Sequence, residues 1–157
     1  GTGHHPTTAL CLEWLESLDL DGKSVLDYGC GSGILAIFAQ RMGAKHVVAM
    51  DIDPDALVAT ESNARRNDID FSRFELLDHT MVLPVSDVVV ANVLTPVLIE
   101  KAAQITKTLK PSGLLALSGI LNDQADSVVA AFSPWIADLR VTHDQQWCAI
   151  TGVKKGS

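Results

Sequence analysis

Apolar positions along this chain switch between helical spacing and short continuous runs, and the switches mark its elements. Leu10, Trp14, Leu15 and Leu18 recur at helical spacing behind Pro6, a residue suited to a first helical turn. Asp19 to Gly22 interrupts the pattern as a turn, and Ser24 to Tyr28 is short and apolar enough for a buried strand. Ile34 to Met42 predicts a helix packed on a sheet and ended by Gly43. His46 to Asp51 predicts a second strand. Asp53-Pro54, a capping residue followed by proline at the first helical position, opens a helix to about Asn67. Arg73 to Leu77 is a weaker third strand, and the valine-rich run Asp87 to Ala91 is a fully buried fourth. A helix from about Pro96 to Leu109 follows, then a turn at Lys110-Pro111-Ser112-Gly113, a strand over Leu114 to Ser118 and a helix over Asn122 to Phe132. Trp135 to His143 and Trp147 to Val153 have no helix between them. A polar turn at Asp144 to Gln146 joins them as antiparallel strands.

Strands alternating with helices predict an α/β fold, with a mostly parallel sheet covered on both faces. Such sheets take ligands beyond the carboxyl ends of their strands, near the point where strand order reverses. The candidate residues Asp51, Asp78 and Asn92, and a glycine-rich loop before Ile34, all fall at such ends.

Composition narrows the function classes. The length of 157 residues predicts one domain, residues 1–157, and 47% apolar with 20% charged residues predicts a soluble globular chain. No apolar run approaches the ~18 residues that span a bilayer, and no signal segment opens the chain, so no membrane partner is expected. A net charge of −7 counts against direct binding to a nucleic-acid backbone, whose footprint is a basic face. Cys11, Cys30 and Cys148 form no CxxC pair, which predicts a reducing, cytoplasmic setting with neither a disulfide frame nor a zinc site. The chain opens at Gly1-Thr2-Gly3 without an initiator Met, which predicts a fragment.

Asp27-Tyr28-Gly29-Cys30-Gly31-Ser32-Gly33 joins the first strand to its helix. Gly29, Gly31 and Gly33 let the turn tighten and let a ligand approach the backbone. With strand before, helix after and Asp51 ending the next strand, the loop predicts a nucleotide-type cofactor site. A dinucleotide wants G-x-G-x-x-G, whereas this loop reads G-x-G-x-G with Asp27 close by. A carboxylate there repels a pyrophosphate and attracts the ammonium or sulfonium of S-adenosylmethionine, so the loop favours S-adenosylmethionine. The competing role for Asp27 is a strand-end carboxylate capping loop amides.

Asp51 is placed to accept both ribose hydroxyls; the alternative is a solvated strand-end acid. Asp53 is read as a helix cap, and Asp78 as either an acceptor for the adenine amino group or an ordinary loop acid. Pro6 at the first helical position leaves Thr7 and Thr8 to add hydroxyls to free amides, either as a seat for the cofactor's carboxylate or as plain capping. His4-His5 lacks a third ligand at fitting spacing, so no metal is expected. Asn92 is placed at a strand end over the cofactor's sulfur, where its oxygens orient an incoming amine; the alternative is a turn-forming asparagine. Cys30 is read as a small loop residue, Trp14 as core, and Lys154-Lys155 as a solvated tail.

Gly1-Thr2-Gly3-His4-His5-Pro6-Thr7-Thr8, the glycine loop, Asp51-Ile52-Asp53-Pro54, Ala91-Asn92-Val93-Leu94 and the tail Trp147-Cys148-Ala149-Ile150-Thr151-Gly152 together resemble PrmA-type ribosomal protein methyltransferases. That family modifies the large-subunit ribosomal protein L-eleven. The resemblance covers essentially the whole chain. It implies a class I, Rossmann-like methyltransferase fold with a mostly parallel seven-stranded sheet and an antiparallel last strand. It also implies cofactor contacts at Thr8, Gly29, Asp51 and Asn92, and trimethylation of lysine side chains and an N-terminal amine. His4 stands where the family usually has threonine. The family also carries an N-terminal substrate-recognition domain that nothing in these 157 residues resembles, so the ribosomal partner is expected to dock through a part outside this sequence. The rival readings are a cofactor-binding fragment without turnover, a methyltransferase for another lysine or small amine, and a nucleotide-dependent oxidoreductase domain.

Overall fold

The computed structural model describes residues 4–156, and it contains every strand that the apolar pattern predicts. In chain order the elements are α1 (Pro6–Glu16), β1 (Ser24–Tyr28), α2 (Ile34–Arg41), β2 (His46–Met50), α3 (Pro54–Arg66), β3 (Phe74–Leu77) and β4 (Ser86–Asn92). They continue with α4 (Thr95–Glu100), α5 (Ala102–Lys107), β5 (Leu109–Leu121), α6 (Ala125–Phe132), β6 (Ile136–Asp144) and β7 (Trp147–Lys154). The strands form one seven-stranded sheet in the order β3-β2-β1-β4-β5-β7-β6. β1 to β5 are parallel, and β7 slots between β5 and β6 antiparallel to both. Strand order reverses between β1 and β4, and the chain leaves those two strands toward opposite faces of the sheet. A crevice therefore opens at their carboxyl ends.

Alternation along each strand divides the core in two. Leu26, Val48, Val89, Leu115 and Leu117 face α4, α5 and α6, meeting Leu98, Ile105 and Phe132. Val25, Val47, Ala49, Val88, Val90 and Ala116 face α1, α2 and α3, meeting Leu15, Ala36, Ala39 and Ala64. Asp27 shares the face of Val25, two residues along the same strand. A carboxylate thus sits on an otherwise apolar face, against the start of α2.

Three expectations need correction. The single helix expected from Pro96 to Leu109 is two helices meeting at Lys101, whose φ of −100° and ψ of 12° lie outside helical geometry. The pattern hides this break because Leu98, Ala102 and Ile105 keep helical spacing across it, and all three are buried. The turn at Lys110-Pro111-Ser112-Gly113 lies within β5 rather than ahead of it. Pairing with β4 jumps from Ser86↔Leu109 to Val88↔Leu114, and Ser112 takes a φ of 65°, so these residues form a bulge.

The third correction concerns the expected solvated tail. Lys154 ends β7, and its ammonium donates to the carbonyls of Thr106 at 2.8 Å and Leu109 at 3.0 Å, while Lys155 donates to Ser133 O at 3.0 Å. The Thr106 carbonyl lies in the last turn of α5, where carbonyls have no partner within the helix and carry partial negative charge, so a cation there satisfies both needs. Among the described residues, no helix is long and apolar enough to cross a membrane. Replacing Lys154 with Met keeps the side-chain stem and removes the donor. Lys154→Met is expected to lower unfolding free energy by about 1.5–3 kcal/mol, the range for hydrogen bonds to a charged group, measured as a lower urea midpoint at unchanged slope.

Candidate functional site

The glycine loop leaves β1 and is fastened from three directions. The amides of Gly29 and Cys30 donate to Met50 O at the end of β2, at 2.8 and 2.9 Å. The Gly31 amide donates to Asp51 Oδ2 at 2.9 Å. From α3, Thr60 Oγ1 donates to Gly31 O at 2.9 Å and Asn63 Nδ2 donates to Ser32 O at 2.8 Å. A Cβ at Gly29 would overlap Val93 and one at Gly33 would press on Thr60, so these two glycines serve packing. Gly31 differs. Its φ is 54°, and a Cβ there would meet nothing within 4 Å, because the residue borders open space. Gly31 is the position where the loop leaves room for a ligand.

Of the two sequence readings of Asp27, the capping carboxylate is the one the hydrogen bonds show. Its Oδ2 accepts from the Ala36 amide at 3.1 Å, capping α2 from across the loop. Its Oδ1 is buried with no hydrogen-bond partner among the described residues. The residue is 1% exposed, and burial, with a smaller contribution from the Asp51 charge, pushes its carboxyl up to about 7 against a single amide bond pulling it down. A buried acceptor without a partner is costly unless something donates to it, and an ammonium is the donor that suits a carboxylate. A cavity of about 170 Å³ lies beside it, bounded by Thr8, Asp27, loop residues 29–32 and Asn92. The donor set therefore fits a ligand with a cationic group at this point.

Asp51 follows β2 directly. One oxygen holds the Gly31 amide and the other accepts from Asp53 N at 3.0 Å, so the side chain braces the loop and still has lone pairs free. Asp53 caps α3 through Asp55 N at 2.9 Å, as expected. Asp78 folds back on Thr80, whose amide donates to it at 2.8 Å and whose hydroxyl also contacts it, which is the ordinary loop-acid arrangement. Cys30 is buried, and desolvation, then the Asp27 charge, pushes its thiol up to about 12, so it stays protonated.

The start of α1 closes the other side and corrects one expectation. Pro6 is at the first helical position, but the amides that follow are not free. Thr7 N donates to His5 Nδ1 at 3.2 Å, and Thr8 N and Ala9 N donate to His5 O at 3.0 and 2.9 Å. The Thr7 hydroxyl lies 2.9 Å from His5 Nδ1, and the residue is buried. Only the Thr8 hydroxyl borders the cavity beside Asp27, where it accepts from Asn92 Nδ2 at 3.3 Å. Ser118, fully buried within β5, donates to Thr7 O at 2.8 Å and pins this turn to the sheet.

Asn92, last residue of β4, has a second side. It also lines a cleft of about 360 Å³ with His5, Val93, Leu94, Gly119 and Trp147. The His5 ring stands edge-on to Trp147, with centroids 5.1 Å apart. Asn92 is thus a shared wall between the cavity at Asp27 and a more open, partly aromatic cleft. Gly119 permits this approach, since a Cβ there would overlap Val93 O.

The structure brings Thr8, Asp27, Gly29, Gly31 and Asn92 around one cavity with Asp51 just behind Gly31, and leaves Asp78 in its own turn. Sequence reasoning missed Thr60, Asn63, Ser118, His5 and Trp147. Thr60 and Asn63 had a signal in their spacing of three on one helix, which puts both on one face. A cavity of about 370 Å³ at the opposite end of the sheet is lined by Lys23, Asp87 and Lys110. There Lys110 pairs with Asp87 at 3.4 Å and Asp87 accepts from Ser24, so its main charge is already satisfied.

Comparison with known proteins shows the family and the fold. Residues 1–155 match the family described as ribosomal protein L11 methyltransferase (PrmA). A ribosomal protein L11 methyltransferase of Tolumonas auensis is 48% identical over 157 residues, covering 99% of this chain and 54% of that protein. One from Actinobacillus pleuropneumoniae serotype 3 is 52% identical over 158 residues, covering 99% and 53%. This chain therefore spans about half the length of the curated relatives it matches. Among solved structures, a ribosomal protein L11 methylase of Lactobacillus delbrueckii subsp. bulgaricus superposes with a TM-score of 0.84 at 30% identity, covering 98% of this chain and 81% of that one. An RNA methyltransferase of Salinibacter ruber in complex with S-adenosyl-L-homocysteine shares the fold, with a TM-score of 0.75 at 18% identity over 98% and 95% of the two chains. The fold is the seven-stranded α/β fold of methyltransferases, and the chain belongs to the PrmA family of ribosomal protein L11 methyltransferases.

Proposed function

We propose that this chain binds S-adenosylmethionine at the carboxyl ends of β1, β2 and β4 and transfers its methyl group to an amine of a ribosomal protein, on a lysine side chain or an N-terminus. The observation that carries the reading is Asp27 Oδ1, a buried acceptor without a partner among the described residues, beside an open glycine loop. A pyrophosphate is repelled there, whereas an amino-acid ammonium supplies the missing donor. Asp27 would hold that ammonium, the Thr8 hydroxyl the carboxylate, and Asp51 the ribose hydroxyls, with Gly31 giving the backbone clearance. Gly29 and Gly33 set the path of the loop, and Asn92 would orient the amine. S-adenosylmethionine, when bound, supplies a methyl group on a positively charged sulfur that an amine can displace in line.

The chain's own part is positioning. Cys30 stays protonated, and His5 Nδ1 is occupied by the Thr7 amide, so neither is free to take a proton from the substrate. Domain 1–157 carries the proposed cofactor site, and capture of the ribosomal protein is assigned to the part of the relatives that this chain does not cover, in a cytoplasmic setting. On that basis the isolated chain binds cofactor well and turns over its protein substrate poorly. Losing a tethered docking surface removes an effective concentration of millimolar order, which lowers apparent affinity by roughly 10²–10⁴-fold.

Calorimetry with S-adenosylmethionine and with NAD is the first test: binding of NAD alone would overturn the reading. Fusing the chain to the remaining half of a relative is expected to raise turnover on the ribosomal protein by a factor in that range, and equal rates would place substrate recognition within this chain.

Gly31→Ala and Gly22→Ala form a matched pair, because both positions have positive φ (54° and 74°) and neither Cβ meets anything within 4 Å. Each is expected to cost about 1–2 kcal/mol of stability through backbone strain. Only Gly31→Ala should lose cofactor affinity.

Asp27→Asn keeps an acceptor for Ala36 N and removes the charge. The folded carboxyl titrates near 7, above its ordinary value of 3.8, so folding favours the protonated form. Its contribution is complete below the ordinary value and is lost as pH climbs through 7. Asp27→Asn is therefore expected to gain melting temperature relative to the parent between pH 5 and about pH 8 while losing cofactor binding.

A further inference from the structure

We propose that Thr8 is a positioning residue that fixes which end of the Asn92 amide faces the substrate cleft, making that wall a hydrogen-bond acceptor. The proposal rests on the amine-methylation reading for its chemistry. Asn92 borders two spaces, the cavity shared with Asp27 and Thr8 and the cleft shared with His5, Gly119 and Trp147. An asparagine amide has a donor end and an acceptor end of nearly equal shape, so its orientation decides what each space can bind. Here Nδ2 points to Thr8 Oγ1 at 3.3 Å, and Oδ1 lies toward Gly119, 3.3 Å from where a Cβ on that residue would stand. Oδ1 therefore sits on the cleft side. A carbonyl oxygen there accepts from the N–H of a neutral amine and leaves the nitrogen lone pair free to be aimed elsewhere. A flipped amide would present N–H groups, which oppose an amine's own hydrogens and select for oxygen acceptors instead.

The Thr8 hydroxyl alone is compatible with either orientation, because it donates as well as accepts. What removes the ambiguity is the cavity it borders. If the O–H hydrogen is given to a carboxylate on the cofactor side, only the lone pairs remain for Asn92, and Nδ2 must face them. A carboxylate-bearing ligand in one space thus sets the hydrogen-bonding character of the other. Thr8 acts on the substrate through Asn92 and without touching it.

The test reads the amide directly by nitrogen–proton NMR of the Asn92 side chain in this chain. At saturating S-adenosylhomocysteine, Thr8→Ser, which keeps the hydroxyl, is expected to leave the two amide proton signals distinct, whereas Thr8→Val should shift and broaden them. S-adenosylhomocysteine should sharpen them in the parent, and methylthioadenosine, which lacks the carboxylate, should not. With S-adenosylhomocysteine bound to both, Asn92 signals that are the same in Thr8→Val as in the parent would overturn the proposal.

A second measurement follows methyl transfer to n-butylamine at high concentration. Thr8→Val should lower kcat/KM for the amine by about tenfold, the upper range of one neutral hydrogen bond, and Thr8→Ser should restore it. At saturating S-adenosylmethionine, which removes any effect of Thr8 on cofactor affinity, the same change over Asn92→Ala should cost nothing more. A further loss in that background would show that Thr8 acts independently of Asn92. Should the parent methylate no amine while the NMR outcome holds, the amine reading fails and the assignment of Asn92 orientation to Thr8 stands.

Discussion

One carboxylate ties this fold to its site. Asp27 lies on a strand face that is otherwise apolar, and its Oδ2 caps α2 through Ala36 N. That bond fixes where α2 begins relative to β1, and hence the span that loop residues 29–33 must cross. Oδ1 is left buried and without a partner among the described residues, beside the cavity that the loop borders. Burial with a single amide bond is the reason the group is pushed up to about 7. The arrangement is unfavourable for the empty fold and suited to a cation, which is the pattern expected where binding rather than folding sets the chemistry.

The surrounding parts keep that group walled in. α3 holds two loop carbonyls through Thr60 and Asn63, and Asp51 holds the Gly31 amide, so the loop cannot collapse onto the carboxylate. On the other side, Ser118 fastens the first turn of α1 to β5, His5 caps that turn, and Thr8 meets Asn92. Residues from α1, β1, β4 and α3 thus converge on a small volume, and most of these bonds join positions more than twenty residues apart. Asn92 then separates the smaller cavity from a wider cleft open to a substrate.

Much of this was legible because strands and helices bury residues at different periods. The parallel strands, the antiparallel pair at the end, and the placement of Asp51, Asp53 and Asn92 follow from local pattern and cap chemistry. The split between α4 and α5 was invisible, since Leu98, Ala102 and Ile105 keep helical phase across Lys101. The bulge within β5 was read as a preceding turn because proline and glycine signal both. The Thr7 amide is taken by a local cap, His5, a residue type outside the usual capping set, whereas the partners of Lys154, the carbonyls of Thr106 and Leu109, are set by three-dimensional packing. The same holds for Ser118 and Trp147, whose roles depend on which helix covers them.

The central claim is that Asp27 is a buried carboxylate waiting for a cation, and its own titration tests this most directly. Carbon NMR of the Asp27 carboxyl should show a midpoint near 7 in the free chain, from burial beside few donors. Saturating S-adenosylhomocysteine, whose ammonium favours the ionised form, should move that midpoint to lower pH. A free-chain midpoint at the ordinary carboxylate value, or one that the ligand leaves in place, would contradict the account.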